Sequence, residues 1–199
     1  MKLNLKILFI ITFFYFETVL CSGAFDHGSS VGKGRIQLDI TLNPFNVFEF
    51  GQNYMVISYG IKKNLDIHAY FSNHANGTNQ YYFGLMKQLI KKTRIDVSTA
   101  IGIRTPTNQD IIDLFFPQCL YTFKMNGFNI GGSIVAVENL NSNDFLGITY
   151  DATIFFPLEK IKKQFTYFEK IELGIGIFRN LGKHYYPTYS IDMKFKKFK

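Results

Sequence analysis

The sequence has no tryptophan and only two cysteines among its 199 residues. Cys21 lies near the N-terminus and Cys119 stands alone, which excludes a disulfide framework and a cysteine-based metal site. His and acidic residues show no metal-ligand spacing, and no Gly-rich phosphate loop occurs. Gly174 and Gly176 make only a lone G-x-G inside an alternating stretch, where small side chains explain them better than a nucleotide does. No Lys/Arg-rich helix or aromatic RNA-binding signature accompanies the formal net charge of +7, so nucleic acid is not an expected partner. Long apolar runs are missing too: the uncharged stretch from Ile7 to Phe16 is too short to cross a bilayer as a helix. No metal and no cofactor is expected.

That N-terminal stretch reads as a targeting device. Lys2 and Lys6 precede it, and the small residues Ser22, Gly23 and Ala24 follow, which is the layout of a secretory signal peptide over residues 1–24. A lipoprotein reading that keeps Cys21 has the bulky Val19 and Leu20 against it. The segment carries two Lys and one Glu, so the remainder keeps a net charge of about +6. Residues 25–33, containing the Gly/Ser-rich HGSSVGKG run that continues to Gly34, read as a flexible lead, and residues 34–199 as one domain.

What fills the domain is β-branched and aromatic; Phe and Tyr number 22 and 12. In RIDVSTAIGIR (94–104), Ile95, Val97, Thr99, Ile101 and Ile103 alternate with Arg94, Asp96, Ser98, Ala100, Gly102 and Arg104. A period of two marks a strand with unlike environments on its faces. Such stretches recur over 35–42, 53–61, 65–72, 79–89, 94–104, 113–125, 128–138, 144–156, 170–178 and 187–196. Pro117 interrupts the sixth, and Gly131-Gly132 predict a bulge in the seventh. Short turns (62–64, 91–93, and Asn126-Gly127) alternate with longer polar links (43–52, 73–78, 105–112, 139–143, 179–186). Within PLEKIKKQFTYFEK, Leu158, Ile161, Phe165 and Phe168 recur at helical spacing, predicting a short amphipathic helix near 158–168 on the short-turn side.

Which face meets water separates a soluble barrel from a membrane one. The polar faces hold small groups (Ser58 and Gly60, Thr149 and Thr153, Ser190), while Lys gathers at strand ends such as 62, 63, 91, 92, 196 and 197. A soluble barrel covers its outside with Lys and Glu. The other face is bulky throughout: Ile67 and Phe71, Phe83 and Leu85, Ile148 and Tyr150, then Ile171, Leu173, Ile175 and Ile177. The expected fold is therefore all-β, an antiparallel up-and-down transmembrane barrel of about ten strands (8–12). Its bulky side meets lipid and its small polar side a lumen.

On these residues, the chain from 34 to 199 resembles small bacterial outer-membrane β-barrel proteins of the eight- to ten-stranded kind. The last strand, YSIDMKFKKF, is similar to their C-terminal assembly signal through Tyr189, Ile191, Met193 and Phe195, though it ends in Lys199 instead of an aromatic residue. The resemblance implies an outer-membrane location, lipid and the barrel-assembly machinery as partners, and a structural, surface or small-solute passage role. A soluble exported barrel holding an apolar ligand is the alternative, and a membrane-lipid hydrolase a third.

Catalytic candidates are thin. Asp66-Ile67-His68 resembles the acid-x-His pair of omptin proteases, but the chain has no Asp-x-Asp to face it. His27-Gly28-Ser29 lies in the flexible lead, and His74 and His184 lie in outer loops without a matching Ser on the same strand face, so a non-enzyme is expected. The charged inward positions form instead an expected lumen network of Asp39, Asp66, His68, Asp96, Arg104, Asp151, Lys170, Glu172, Asp192 and Lys194, concentrated toward the short-turn end. In a narrow ten-stranded bore such a network closes the passage, because unpaired buried charges are too costly to persist.

Overall fold

A computed structural model describes residues 27–42, 52–74, 79–106, 114–179, 181 and 185–197. The expected signal segment 1–24, with Cys21, and His184 lie outside the described residues. The strands are β1 (Ile36–Leu42), β2 (Gln52–Lys62), β3 (Leu65–His74), β4 (Asn79–Lys91), β5 (Ile95–Pro106), β6 (Leu114–Phe115), β7 (Gln118–Lys124), β8 (Asn129–Asn139), β9 (Asp144–Pro157), β10 (Phe168–Arg179) and β11 (Tyr185–Phe195). Each pairs antiparallel with its neighbours, and β1 pairs with β11, so the sheet closes on itself. Strands β6 and β7 both pair with β5 and β8 and form one barrel stave, broken at Phe116-Pro117 because proline cannot donate to the ladder. The result is a closed barrel of ten staves with no free edge.

The faces have the polarity of a membrane barrel. In β5, Asp96, Ser98, Ala100, Gly102 and Arg104 are buried, while Thr99, Ile101 and Ile103 are exposed. The same alternation gives β4 its exposed Tyr81, Phe83 and Leu85, with Phe83 reaching 69% exposure. A surface of this kind is stable only against hydrocarbon, and the closed ladder leaves no strand edge unpaired there. Aromatics band both ends of the outer wall. Tyr150 and Tyr185 share a 2.5 Å hydroxyl contact near the long loops, while Phe165, Tyr167, Phe168 and Phe195 pack as tilted rings at the short-turn end.

Four local expectations are corrected. The helix α1 spans only Glu159–Gln164; Phe165 is already extended, and the aromatic run after it packs ring on ring as a turn instead of continuing the helix. Gly131 and Gly132 keep regular register with Thr122 and Tyr121, and the irregularity of β8 lies between Val137 and Glu138. A side chain at Gly132 would strike the Tyr121 ring, so the glycine makes room for an aromatic and not for a bulge. Ile171 lies on the outward face by alternation yet is buried, at the point where Leu158 N–H donates to its carbonyl just before α1. The fourth correction concerns the lead and bears on the site.

Candidate functional site

Residues 27–34 are not a loose leader. They run inside the barrel at the short-turn end, and His27, Gly28, Ser30, Val31 and Gly32 are buried. The composition that suggests flexibility suits a tight fit instead. A side chain at Gly28 would meet the backbone of Leu120, Tyr121 and Asp96 at 2.8–2.9 Å, and one at Gly60 would overlap the backbone of Gly32. Gly60 thus opens the wall of β2 where the segment presses on it, and Gly34 N–H donates to the Gly60 carbonyl at 2.8 Å.

Each serine of the segment has a partner on the wall. Ser29 Oγ donates to Asp96 Oδ2 at 2.7 Å, and Ser30 Oγ lies 2.9 Å from both Gln88 Oε1 and the Lys63 carbonyl. Val31 N–H donates to Asp66 Oδ2 at 2.7 Å, Gly28 N–H to Thr122 Oγ1 at 2.8 Å, and Ser98 Oγ to the Gly28 carbonyl at 2.6 Å. Buried polar groups left unmatched are costly, so these bonds specify one seating of the segment.

The charged residues expected in the lumen fall into three groups. Asp66 and Asp96 hold the inserted segment, and Asp96 also takes Lys124 Nζ at 2.7 Å. Asp39, Asp192 and Glu172 sit side by side in register across β1, β11 and β10. Like charges directly opposite one another repel. His27 Nε2 stands 3.8 Å from Asp39, Lys170 Nζ pairs with Glu172 from the rim, and Lys194 points toward the same end. A cavity of about 60 Å³ remains beside this row, room for a few waters.

His68, Arg104 and Asp151 stand apart from that end. Asp151 takes the N–H and hydroxyl of Ser133 on the neighbouring strand. Arg104 lies over the Phe116 ring at 5.0 Å, and His68 stacks on Tyr82.

The half of the lumen nearer the long loops is filled mainly by apolar side chains, with Arg104 and Gln118 buried among them. Tyr70 stacks on Tyr82 at 4.9 Å, Phe116 meets Tyr82 edge-on, and Leu114, Val135, Val137, Phe178 and Tyr186 fill around them. The Tyr82 ring covers Gly84 and Gly102, either of which would collide with it if given a side chain, and Gln118 Nε2 donates to its hydroxyl at 2.9 Å. The inward residues Ser98, Leu120, Ser133, Val137 and Thr149, spread over β5, β7, β8 and β9, are each 0% exposed.

No protein-family model and no curated protein matches the sequence. Among solved structures the chain is similar to a KdgM porin, at 8% identity and a TM-score of 0.44, covering 81% of this chain and 98% of that one. It is also similar to Pseudomonas aeruginosa OccK7 (10% identity, TM-score 0.32, covering 73% of this chain and 55% of that one). For Acinetobacter baumannii OccAB4 the values are 12% and 0.32, with 74% and 54% covered.

The geometry offers little to a hydrolase. Ser29 and Ser30 spend their hydroxyls on Asp96 and Gln88, and His27 faces Gln37 and Asp39. Asp66 and His68 are buried, with Asp66 engaged by the inserted segment. Among the described residues no group of three His, Cys, Asp or Glu side chains could hold a metal ion.

Inspection of the sequence alone missed the partners that matter most: Ser29, Ser30, Val31, Gln88, Ser98 and Thr122. One signal was present. Gln88, Ser98 and Thr122 are uncharged polar residues at inward positions of adjacent strands, which calls for a polar occupant between them.

Proposed function

We propose that the chain is an integral outer-membrane β-barrel protein, exported by the signal segment 1–24, whose lumen is shut in its resting state by two layers in series. The apolar layer around Tyr82 closes the half toward the long loops, and residues 27–34 close the half toward the short turns. Passage of small solutes requires both layers to move; with both in place the protein acts as a membrane-anchored surface protein. The observation that carries this reading is the complete burial of inward residues on the consecutive strands β5, β7, β8 and β9, and of Asp66 on β3, since a water-filled bore would leave them accessible. A soluble barrel built to hold an apolar ligand needs an apolar cavity inside and a polar exterior. Here the exterior is apolar and the interior is packed.

Conductance in planar bilayers tests the reading. The folded wild type gives little steady current. Gly60→Val, which pushes the inserted segment off the wall, and Tyr82→Ala with Phe116→Ala, which thins the apolar layer, each leave the bore largely shut; together they open it. A wide, steady wild-type pore overturns the proposal in favour of simple diffusion.

A further inference from the structure

The short-turn mouth holds a second feature, a recess of about 490 Å³ whose floor is the inserted segment itself. Six cations line it: Lys33, Arg35, Lys63, Lys91, Lys194 and Lys197. They come from the inserted segment, the residue just before β1, the β2–β3 turn, the end of β4, β11 and the chain just beyond it. One carboxylate answers them. Glu169 takes Arg35 Nε at 2.7 Å and Lys194 Nζ at 3.8 Å, and among the described residues no other carboxylate pairs with Lys33, Lys63, Lys91 or Lys197.

The fold assembles this cluster on purpose-shaped backbone. Gly32 and Gly34 both take positive φ, 86° and 70°, and turn the chain so that Lys33 stands out between them. Arg35 N–H closes the turn on the Gly32 carbonyl at 3.1 Å, the Arg35 guanidinium lies against Gly32, and the Lys197 stem lies across Gly34. The Lys63 carbonyl accepts Ser30 Oγ, which ties the wall of the recess to its floor. Like charges converging in a concave site raise the local potential and attract a multivalent anion.

We propose that this mouth binds a phosphate-bearing anion, and that the bound anion pins residues 27–34 in the lumen. The inference rests on the closed-lumen reading for its second half only. The same chemistry is offered by two sources, the phosphate of an anionic lipid headgroup in the adjacent leaflet and a free soluble phosphate compound; lysines held near an anionic surface favour the first.

The test titrates the full chain, folded in neutral detergent, with inorganic pyrophosphate and with short-chain phosphatidylglycerol, read by calorimetry. Binding is expected to weaken about tenfold in the Lys63→Gln, Lys91→Gln, Lys197→Gln variant and to fall at high salt. It should persist in a Lys160→Gln, Lys162→Gln, Lys163→Gln variant, which loses the same charge from α1. A single Lys91→Gln variant serves if the triple one fails to fold. Binding of both probes shows that a free phosphate suffices, and binding of the lipid alone identifies the headgroup as the source. Binding of neither, or equal weakening in both triple variants, overturns the proposal. Hydrogen exchange over residues 28–34 separates this from the closed-lumen reading. Slow exchange that the anion slows further supports pinning, and slow exchange indifferent to a bound anion overturns it. Fast exchange without anion refutes the resting plug itself.

Discussion

The two halves of the lumen are filled by different physics. Toward the long loops, Tyr70, Tyr82, Phe116, Val137 and Phe178 pack as in a soluble protein's core, with one hydroxyl bonded to Gln118. Toward the short turns, the filling is a piece of backbone held by serines, amides and carboxylates. The first layer is held by shape and area and belongs to the strands themselves. The second is held by a set of hydrogen bonds to a segment that enters from outside the sheet. A bonded segment can leave as a unit, whereas a packed layer must be dismantled side chain by side chain.

The largest effect should come from the packed layer. Tyr82→Ala removes a buried ring with three ring neighbours, Tyr70, Phe116 and His68, and strips the Gln118 amide of its partner; a loss of about 3–5 kcal/mol is expected for such a truncation. Equilibrium unfolding in lipid vesicles measures it. A loss under 1 kcal/mol would mean that the layer is filler and not core.

On the outer wall the two halves do not differ, and one substitution checks that. Ile101→Arg places a charge near mid-membrane and should cost about 2–4 kcal/mol, while its inward neighbour change Ala100→Ser stays mild. Equal behaviour of the two would reverse the facing assigned to β5.

Gly60→Val should act on the bonded half alone, at about 1–3 kcal/mol for forced overpacking. Its signature is selective: exchange over residues 28–34 rises steeply while the amides around Tyr82 stay protected. If both regions loosen together, the halves are one cooperative unit. The smallest change is Ser29→Ala, which deletes one hydroxyl bond to Asp96 and costs about 0.5–1.5 kcal/mol; faster exchange confined to the segment is the readout.

The barrel was legible in the sequence because its walls see two unlike media, and period-two alternation records that directly. All ten expected stretches correspond to staves, with ends displaced by a few residues. Two kinds of filling were not legible. In YYFGLM (81–86), Tyr82 and Met86 point inward between outward residues that are equally apolar, so alternation carries no contrast there. HGSSVGKG has the composition of a linker, and only the groove opened by Gly60 and the polar row of Gln88, Ser98 and Thr122 make it a buried strap. Helical spacing over 158–168 gave the short helix but overran its end: Phe165 and Phe168 repeat at the right interval but find ring partners in Tyr167 and Phe195 beyond Gln164.

The seam between β1 and β11 has a consequence for the order of assembly. It joins the two ends of the barrel chain, and on either side of it Asp39, Asp192 and Glu172 come level. The β10–β11 hairpin already sets Glu172 beside Asp192, and closing the seam adds Asp39 as a third carboxylate, a step that repulsion opposes. The strap immediately precedes β1, so the strand that closes the seam is joined directly to the serines that bond the opposite wall. The latch and the strand that closes the door are one continuous piece of chain, so the stopper is tethered beside the mouth it fills.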